Sequence, residues 1–261
     1  MPIRYEVDGH VAVITFDRPD VLNAFDDELG TGVLQAVEKA AADEEVRCIV
    51  LTGSGRAFSS GEDLGALADG YEKGEAAELG NTLVDRYNPL IRAITTAPKP
   101  VVAAVNGVAA GAGASIAFAC DHRVVSEKAK FVLAFVGVGL IPDAGSLWFL
   151  ARMVGTSRAW ALASSGSPLS AEEARDLGVV HEVAKVDGFE STWRAVAERF
   201  AAGPTRSYAL TKALLRESLS VSLEEELDRE VDAQTEAGRT SDHMEGVQAF
   251  LGKRRPKFEG R

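Results

Sequence analysis

Residues 97–118 read APKPVVAAVNGVAAGAGASIAF, and the fold turns on how this stretch is parsed. Five apolar residues, Val101-Val102-Ala103-Ala104-Val105, follow Pro98 and Pro100 without alternation, the pattern of a strand buried on both faces. Asn106-Gly107 breaks the run as a turn. Gly111-Ala112-Gly113-Ala114-Ser115 then opens a helix with almost no side-chain bulk, so another group can approach its backbone closely. The first N–H groups of such a helix lack intrahelical partners and point outward with the positive end of the helix dipole. Two readings stay open locally: a receptor for a negative oxygen, or a Gly/Ala surface that lets the helix pack tightly.

Working outward, residues 47–52 (RCIVLT) form another buried strand, ended by Gly53-Ser54-Gly55. Residues 56–64 (RAFSSGEDL) make a second loop of small residues ahead of a helix. Upstream, residues 5–17 alternate and read as two strands turning at Asp8-Gly9. Asp26 is the expected N-cap of a helix whose apolar face is Leu29, Val33, Leu34 and Val37. Residues 65–80 are acidic and Gly/Ala-rich, and are expected to form a mobile lid or loop-helix. Residues 82–97 have helical period through Leu83, Tyr87, Leu90, Ile91 and Ile94. Downstream come strands at 121–126 and from 129, an apolar run at 132–141, and helices at 148–154 and 158–164. Ser170-Ala171-Glu172-Glu173 has the form of a capping box, starting a helix that stops at Gly178. A strand is expected at 179–183. From Glu190 the pattern is helical, with breaks at Gly203-Pro204 and 237–241. Alternation to about residue 185 predicts a layered α/β core with mainly parallel strands. The helices that follow form a separate layer or an oligomer contact.

The 261 residues, 46% of them hydrophobic, suffice for one large domain or a domain plus an appendage. A formal charge of −11 argues against nucleic acid as a partner, which calls for a basic surface. It leaves room for a small anionic ligand met by a few local Lys or Arg. Cys48 and Cys120 sit among apolar neighbours and read as reduced core residues of a cytoplasmic protein. Their spacing suggests no metal site. His10, His122, His181 and His243 are scattered and read as structural or exposed. MPIRYEVDG has no apolar run of signal-peptide length, and no apolar stretch reaches membrane-spanning length without Gly, Pro or charge. GAGAS fails the dinucleotide pattern GxGxxG, and no GxxxxGK[ST] occurs, so nucleoside triphosphate chemistry is not expected.

Taken together, RPDVLNAF, RCIVLTGSGRAFSSGEDL, PKPVVAAVNGVAAGAGASIAFACDHRV, AKFVLAFVGVGLIPDAGS, LSAEEARDLGVVHEV and EGVQAFLGKRRPKF resemble the crotonase (enoyl-CoA hydratase/isomerase) superfamily. They occur in family order and cover almost the whole chain. The resemblance implies a spiral of repeated ββα units over residues 1–200, carrying the CoA and acyl site. It implies a C-terminal helical oligomerisation region over 201–261, giving a homotrimer or a dimer of trimers. The implied ligand is an acyl-CoA thioester, with CoA part of the substrate and no separate cofactor or metal. The implied chemistry is an oxyanion hole: a thioester carbonyl becomes an enolate oxygen, and two backbone N–H groups stabilise it, each contributing roughly 3–4 kcal/mol when removed singly. Carried onto this chain, the donors are the N–H of Glu62, after Ser60-Gly61, and the N–H of Ala112, between Gly111 and Gly113. Most relatives have glycine at the second position; alanine offers the same N–H if its φ is negative. Asp63, ahead of Leu64, reads as the cap of the next helix.

Hydratases of the superfamily use two glutamates, and alignment on Ala119-Cys120-Asp121 puts these at Ser115 and Phe135. Hydration needs one group to activate water and another to handle the α-proton, and neither position is acidic here. The remaining acid is Asp143, in GLIPDAG, after a long uncharged run; burial would lift its pKa above the usual value of about 3.9. Locally it reads equally as the N-cap of a helix starting near Ser146. The resemblance favours a carboxylate that takes a proton from one carbon and returns it to another, which is isomerisation. Isomerases with one acid here include those of fatty enoyl-CoA and of ring-1,2-epoxyphenylacetyl-CoA. The second group shares YNPLIRAI and AKFVLAFVGVGLIPDAG, and departs at Ser146-Leu147-Trp148, where it reads Gly-Thr-Trp. A 2-enoyl-CoA hydratase and a non-catalytic scaffold are the alternatives. For CoA the resemblance points to Arg56, to the backbone at Leu22-Asn23-Ala24, and to Phe250 and Lys253 of a neighbouring subunit; locally, FLGKRRPKF reads equally as a solvated basic tail.

Overall fold

The structure, a computed structural model, describes residues 2–67, 72–74 and 78–261. It opens with a hairpin of β1 (Ile3–Asp8) and β2 (Val11–Phe16), paired from Ile3↔Phe16 to Asp8↔Val11 and turned at Gly9 with φ +55°. Helix α1 (Asp27–Ala42) follows, its first turn capped by the Asp26 carboxylate accepting from Leu29 N at 2.8 Å. Then a unit repeats: a long strand, a short strand, helix. First come β3 (Cys48–Gly53) and β4 (Ala57–Ser59), followed by α2 (Leu79–Thr82), a π turn at Leu83–Tyr87, and α3 (Asn88–Thr96). Next come β5 (Val101–Val105), β6 (Val108–Ala110) and α4 (Ala112–Ala119), and then β7 (His122–Ser126) and β8 (Lys130–Val132) with α5 (Ser146–Val154) and α6 (Thr156–Ser165). Short β9 (Leu169–Ser170), α7 (Ala171–Asp176) and β10 (Glu182–Ala184) close the core. Four helices complete the chain: α8 (Phe189–Ala201), α9 (Thr205–Glu217), α10 (Leu223–Ala237) and α11 (Ser241–Leu251).

The long strands, with the short β10 at one edge, form one sheet in the order β1-β2-β3-β5-β7-β10, parallel from β2 onward; the other short strands form a second, β4-β6-β8-β9. Each repeat thus contributes one strand to each sheet, which is the ββα spiral of the crotonase fold. The unbroken run at 101–105 has its cause here. One face of the large sheet, with Phe16 of β2 on it, packs on Phe25, Phe58 and the α1 stripe, and the other on Trp193, Val196 and Ala197 of α8. Both faces are covered, so no polar residue is called for.

Several sequence expectations shift. The strand expected at 179–183 starts only at Glu182, because Val179 and Val180 turn inward, their N–H groups both bonded to Ala174 O. The 82–97 helix begins earlier and is interrupted by the π turn. Of the lid expected at 65–80, residues 68–71 and 75–77 lie outside the described residues, and the part before them ends the 3-10 turn Leu64–Leu67. The apolar run at 132–141 coils into a 3-10 turn, Ala134–Val138, with Val138 and Ile141 exposed. Cys48 and Cys120 are buried and free.

The buried Arg123 guanidinium closes the C-terminal end of α4, donating to Cys120 O and to Val179 O. Removing it strands these acceptors away from water. Arg123→Met is therefore expected to lower unfolding stability by about 3–5 kcal/mol, read as a lower urea midpoint at unchanged m-value.

Candidate active site

The first loop is fixed by Asn23. Leu22 and Asn23 both adopt left-handed φ, +56° and +55°, a conformation Asn tolerates better than most residues. The fully buried Asn23 amide accepts from Arg18 N at 2.9 Å and donates to Ser54 O at 3.0 Å and Ala57 O at 2.8 Å. Its carbonyl accepts from Ser59 Oγ at 2.8 Å, and that oxygen accepts from Gly61 N at 3.1 Å. Phe25 N donates to Gly61 O at 2.7 Å and Asp63 N to Phe25 O at 2.9 Å. The peptide groups on both sides of Glu62 are thus bonded, while the Glu62 N–H has no acceptor among the described residues.

The second loop is hung from β8 by Gly111 N, which donates to Val132 O at 2.9 Å. Gly111, with φ +50°, starts α4 without a side-chain cap, and its carbonyl accepts from Ala114 N and Ser115 N. The Ala112 N–H has no acceptor among the described residues, and Ala112 is absent from the residues of positive φ, as its role as a donor requires. The two loops touch. A Cβ on Gly61 (φ +93°) would stand 2.9 Å from Ala110 O and 3.3 Å from Ala112 N, and one on Gly113 would stand 2.6 Å from Ser59 O. Only glycine fits at either place, and the Glu62 and Ala112 donors lie across this contact.

Asp143 comes from a third segment. Ala144 (φ +47°) and Gly145 (φ +76°) turn the chain sharply into α5. The Asp143 carbonyl accepts from Ser146 N at 2.9 Å and from Ser115 Oγ at 3.0 Å. Its carboxyl Oδ1 is buried with no hydrogen-bond partner, and α5 has no side-chain cap, so the capping role open in the sequence is not the one adopted. Burial first, and the Glu62 charge second, push the Asp143 carboxyl up to about 6. A carboxyl with one bare buried oxygen and a raised pKa suits proton transfer in both directions.

Ser115 is buried and links α4 to the Asp143 segment, while the Phe135 ring lies 3.9 Å from where a Gly111 Cβ would stand, walling the same spot. Ser60 Oγ donates to Val21 O, and Leu64 is exposed beside the loop. Ala24 is buried, its carbonyl accepting from Arg18 Nη1. Asp63 forms an ion pair with Arg18 at 3.0 Å, a tie between loops that the capping reading did not anticipate. Arg56 is exposed at the mouth of the first loop. Phe250, in the last turn of α11, and Lys253, just beyond it, are exposed, and the tail that follows is bonded to Arg47 and Asp242. The sequence reading missed the Glu62 carboxylate, which accepts from Arg86 Nη1 at 2.8 and 2.7 Å and from Tyr87 OH at 2.6 Å.

Paired backbone donors against a carboxyl, on a ββα spiral, define the crotonase class of enzyme. The chain matches the model of the Enoyl-CoA hydratase/isomerase family over residues 6–261 and belongs to that family. It is 45% identical over 259 residues to a Rhodobacter capsulatus protein named "Probable enoyl-CoA hydratase", covering 99% of this chain and 98% of that one. It is 41% identical over 255 residues to the 1,2-epoxyphenylacetyl-CoA isomerase of Escherichia coli K12, covering 98% and 97%. An enoyl-CoA hydratase from Polaromonas sp. JS666 superposes with a TM-score of 0.92 at 35% identity, covering 98% and 99%. Family membership implies an acyl-CoA thioester substrate.

Gly61→Ala drives a methyl group into the donor pair. Its expected effect is a kcat about 10²- to 10³-fold lower, the loss of one oxyanion donor, with an unchanged far-ultraviolet spectrum. A base at Asp143 would have to be ionised in the free enzyme, so the expected kcat/KM falls as pH drops through about 6, which the acid limb of the profile reads directly.

Proposed function

We propose that the chain is an acyl-CoA isomerase in which Asp143 is the sole acid/base and the N–H groups of Glu62 and Ala112 hold the enolate oxygen. The observation that carries this reading is the Asp143 carboxyl, its buried Oδ1 unpartnered, on a segment bonded to Ser115, while Ser115 and Phe135 stand where the family resemblance puts a hydratase's two glutamates. Asp143 takes a proton from the carbon next to the thioester carbonyl. The electron pair moves onto the carbonyl oxygen, where the two N–H groups meet it. The same carboxyl returns the proton to a carbon further along the conjugated system. In a 3-enoyl-CoA this shifts the double bond toward the thioester. In a ring-1,2-epoxyphenylacetyl-CoA the same transfer, from side chain to ring, accompanies opening to the oxepin. The second substrate is favoured by the E. coli relative's activity. CoA arrives with the substrate, and the proton transfer calls for no other cofactor.

Hydration is the second reading, favoured by the name of the R. capsulatus relative. It needs a further proton-handling group, and the other nearby carboxylate, Glu62, is taken up by Arg86 and Tyr87. A scaffold without chemistry would have no use for Asp143 against an intact pair of donors. Residues 201–261 we assign to assembly as a trimer or dimer of trimers, supported by exposed Leu215, Leu219, Leu223 and Val231 from α9 into α10. In such an assembly Phe250 and Lys253 of one subunit, with Arg56 and the Leu22–Ala24 backbone of the next, would hold CoA. The reading is of a cytoplasmic enzyme; no helix among the described residues is long and apolar enough to cross a membrane.

Crotonyl-CoA, a 3-enoyl-CoA and a 1,2-epoxyphenylacetyl-CoA offered in parallel are expected to give the highest kcat/KM on the epoxide, then the 3-enoyl ester, with crotonyl-CoA last. Asp143→Asn should cost about 10²- to 10⁴-fold in kcat while CoA-ester binding survives. Crotonyl-CoA hydration as the best reaction, or undiminished turnover by Asp143→Asn, would refute the assignment.

A further inference from the structure

The Glu62 carboxylate is the centre of a half-buried charge cluster. Arg86 Nη1 reaches both of its oxygens, Tyr87 OH a single one, and the other arm of Arg86 pairs with Asp27 of α1. Arg86 Nη1 also donates to Phe25 O at 3.3 Å. Phe25 is the residue whose N–H and C=O clamp Gly61 O and Asp63 N, so Arg86 grips Glu62 by its side chain and by its backbone neighbour. Locally unfavourable features of two elements serve this contact. Arg86 and Tyr87 lie in the π turn Leu83–Tyr87, a break in helical bonding that recurs at functional sites. Gly30 sits inside α1, where glycine weakens a helix, and a Cβ there would stand 2.4 Å from Arg86 Cγ and 2.6 Å from Cδ. The absent methyl is the space in which the arginine stem lies.

We propose that Arg86 and Tyr87 are positioning residues of the oxyanion hole: by holding the Glu62 side chain they aim its peptide N–H at the thioester oxygen and keep its carboxylate as a fixed charge acting on Asp143. This rests on the isomerase reading above. Against the Glu62 carboxylate stand Arg86 and Tyr87 from the π turn and, through Arg86, Asp27 from α1, and its charge reaches Asp143 in the segment before α5. Arg18 is engaged by Asp26 and Asp63. The negative charge on Glu62 is the second cause, after burial, of Asp143 holding its proton more tightly. One residue therefore serves the donor through its backbone and the base through its side chain.

Three variants test this in the full chain. Glu62→Gln keeps the peptide N–H and an oxygen for Arg86 and Tyr87 but deletes the charge. The acid limb of kcat/KM should move to lower pH, which a merely structural tie would not cause. Arg86→Met and Tyr87→Phe are read with a β-ketoacyl-CoA, whose enolate presents the oxyanion without reacting further. Its bound enolate, followed by ultraviolet absorbance, should weaken by about 10- to 10²-fold, the scale of a misplaced group, while free CoA binds within about twofold of wild type by calorimetry. Tyr87→Phe removes a single hydroxyl and carries this measurement if Arg86→Met does not fold. An unmoved limb in Glu62→Gln, or unchanged enolate affinity in the folded variants, overturns the proposal. A wild-type chain that binds no enolate overturns the isomerase reading, and this inference with it.

Discussion

The proposed chemistry of this chain depends on the contact between Gly61 and the Gly111–Ala112 turn. A missing Cβ at Gly61 lets one backbone approach another to a distance no side chain would permit, and two N–H groups from distant parts of the chain thereby share one small space. The small sheet makes the contact possible. β4 and β6 are neighbours in it, paired Ala57↔Val108 and Ser59↔Ala109 with a register shift between, so the loops that follow them leave the sheet side by side. Backbone donors are indifferent to side-chain identity. That is why glutamate and alanine can occupy the two donor positions, and why the Glu62 side chain is free to take on another task.

Asp143 owes its character to how nearby donors are spent. Ser115 Oγ and Ser146 N both reach its backbone carbonyl, and neither reaches its carboxyl. Hydrogen bonds to a carboxylate favour the charged form, and desolvation opposes it. With the donors engaged by the carbonyl, desolvation wins and the carboxyl rises to about 6. The Ser115 bond, with left-handed Ala144 and Gly145 behind it, holds the segment against α4. Position and proton affinity therefore come from one arrangement.

What was legible in the sequence was local. The 101–105 strand could be read because a sheet covered on both faces leaves an unbroken apolar signature. The Asp26 cap and the Ser170–Glu173 box could be read because each is closed within a turn. The two small-residue loops were visible as loops, but their meeting depends on strands three residues long, too short for any periodicity, and only the likeness to a family predicted it. Asp143 was expected to be desolvated by the uncharged run before it. Much of that run is exposed, with Ile141 at 79%, and part of the effect comes instead from Glu62, far away in sequence. Arg86 escaped because a 3.6-residue period passes over a π turn: it marks Tyr87 as core and is blind to the residue beside it. The helix-interior Gly30 was the available clue, since glycine there weakens α1 without a local return.

Helix α4 shows how the proposed oxyanion site is kept open. Its eight residues are all buried and uncharged, so its end charges meet little water. At the C-terminal end Arg123 supplies a cation to the exposed carbonyls, the compensation a helix dipole favours. At the N-terminal end nothing does so. Asp26, Ser170, Ser222 and Thr240 cap α1, α7, α10 and α11 with their side chains, whereas α4 starts at Gly111 with none. A serine or aspartate at that position would satisfy one of the free N–H groups and place its oxygen where the proposed enolate oxygen would sit. Leaving the helix uncapped costs stability that a side chain could have supplied, and the unpaired donors are then available only to an oxygen brought from outside the chain.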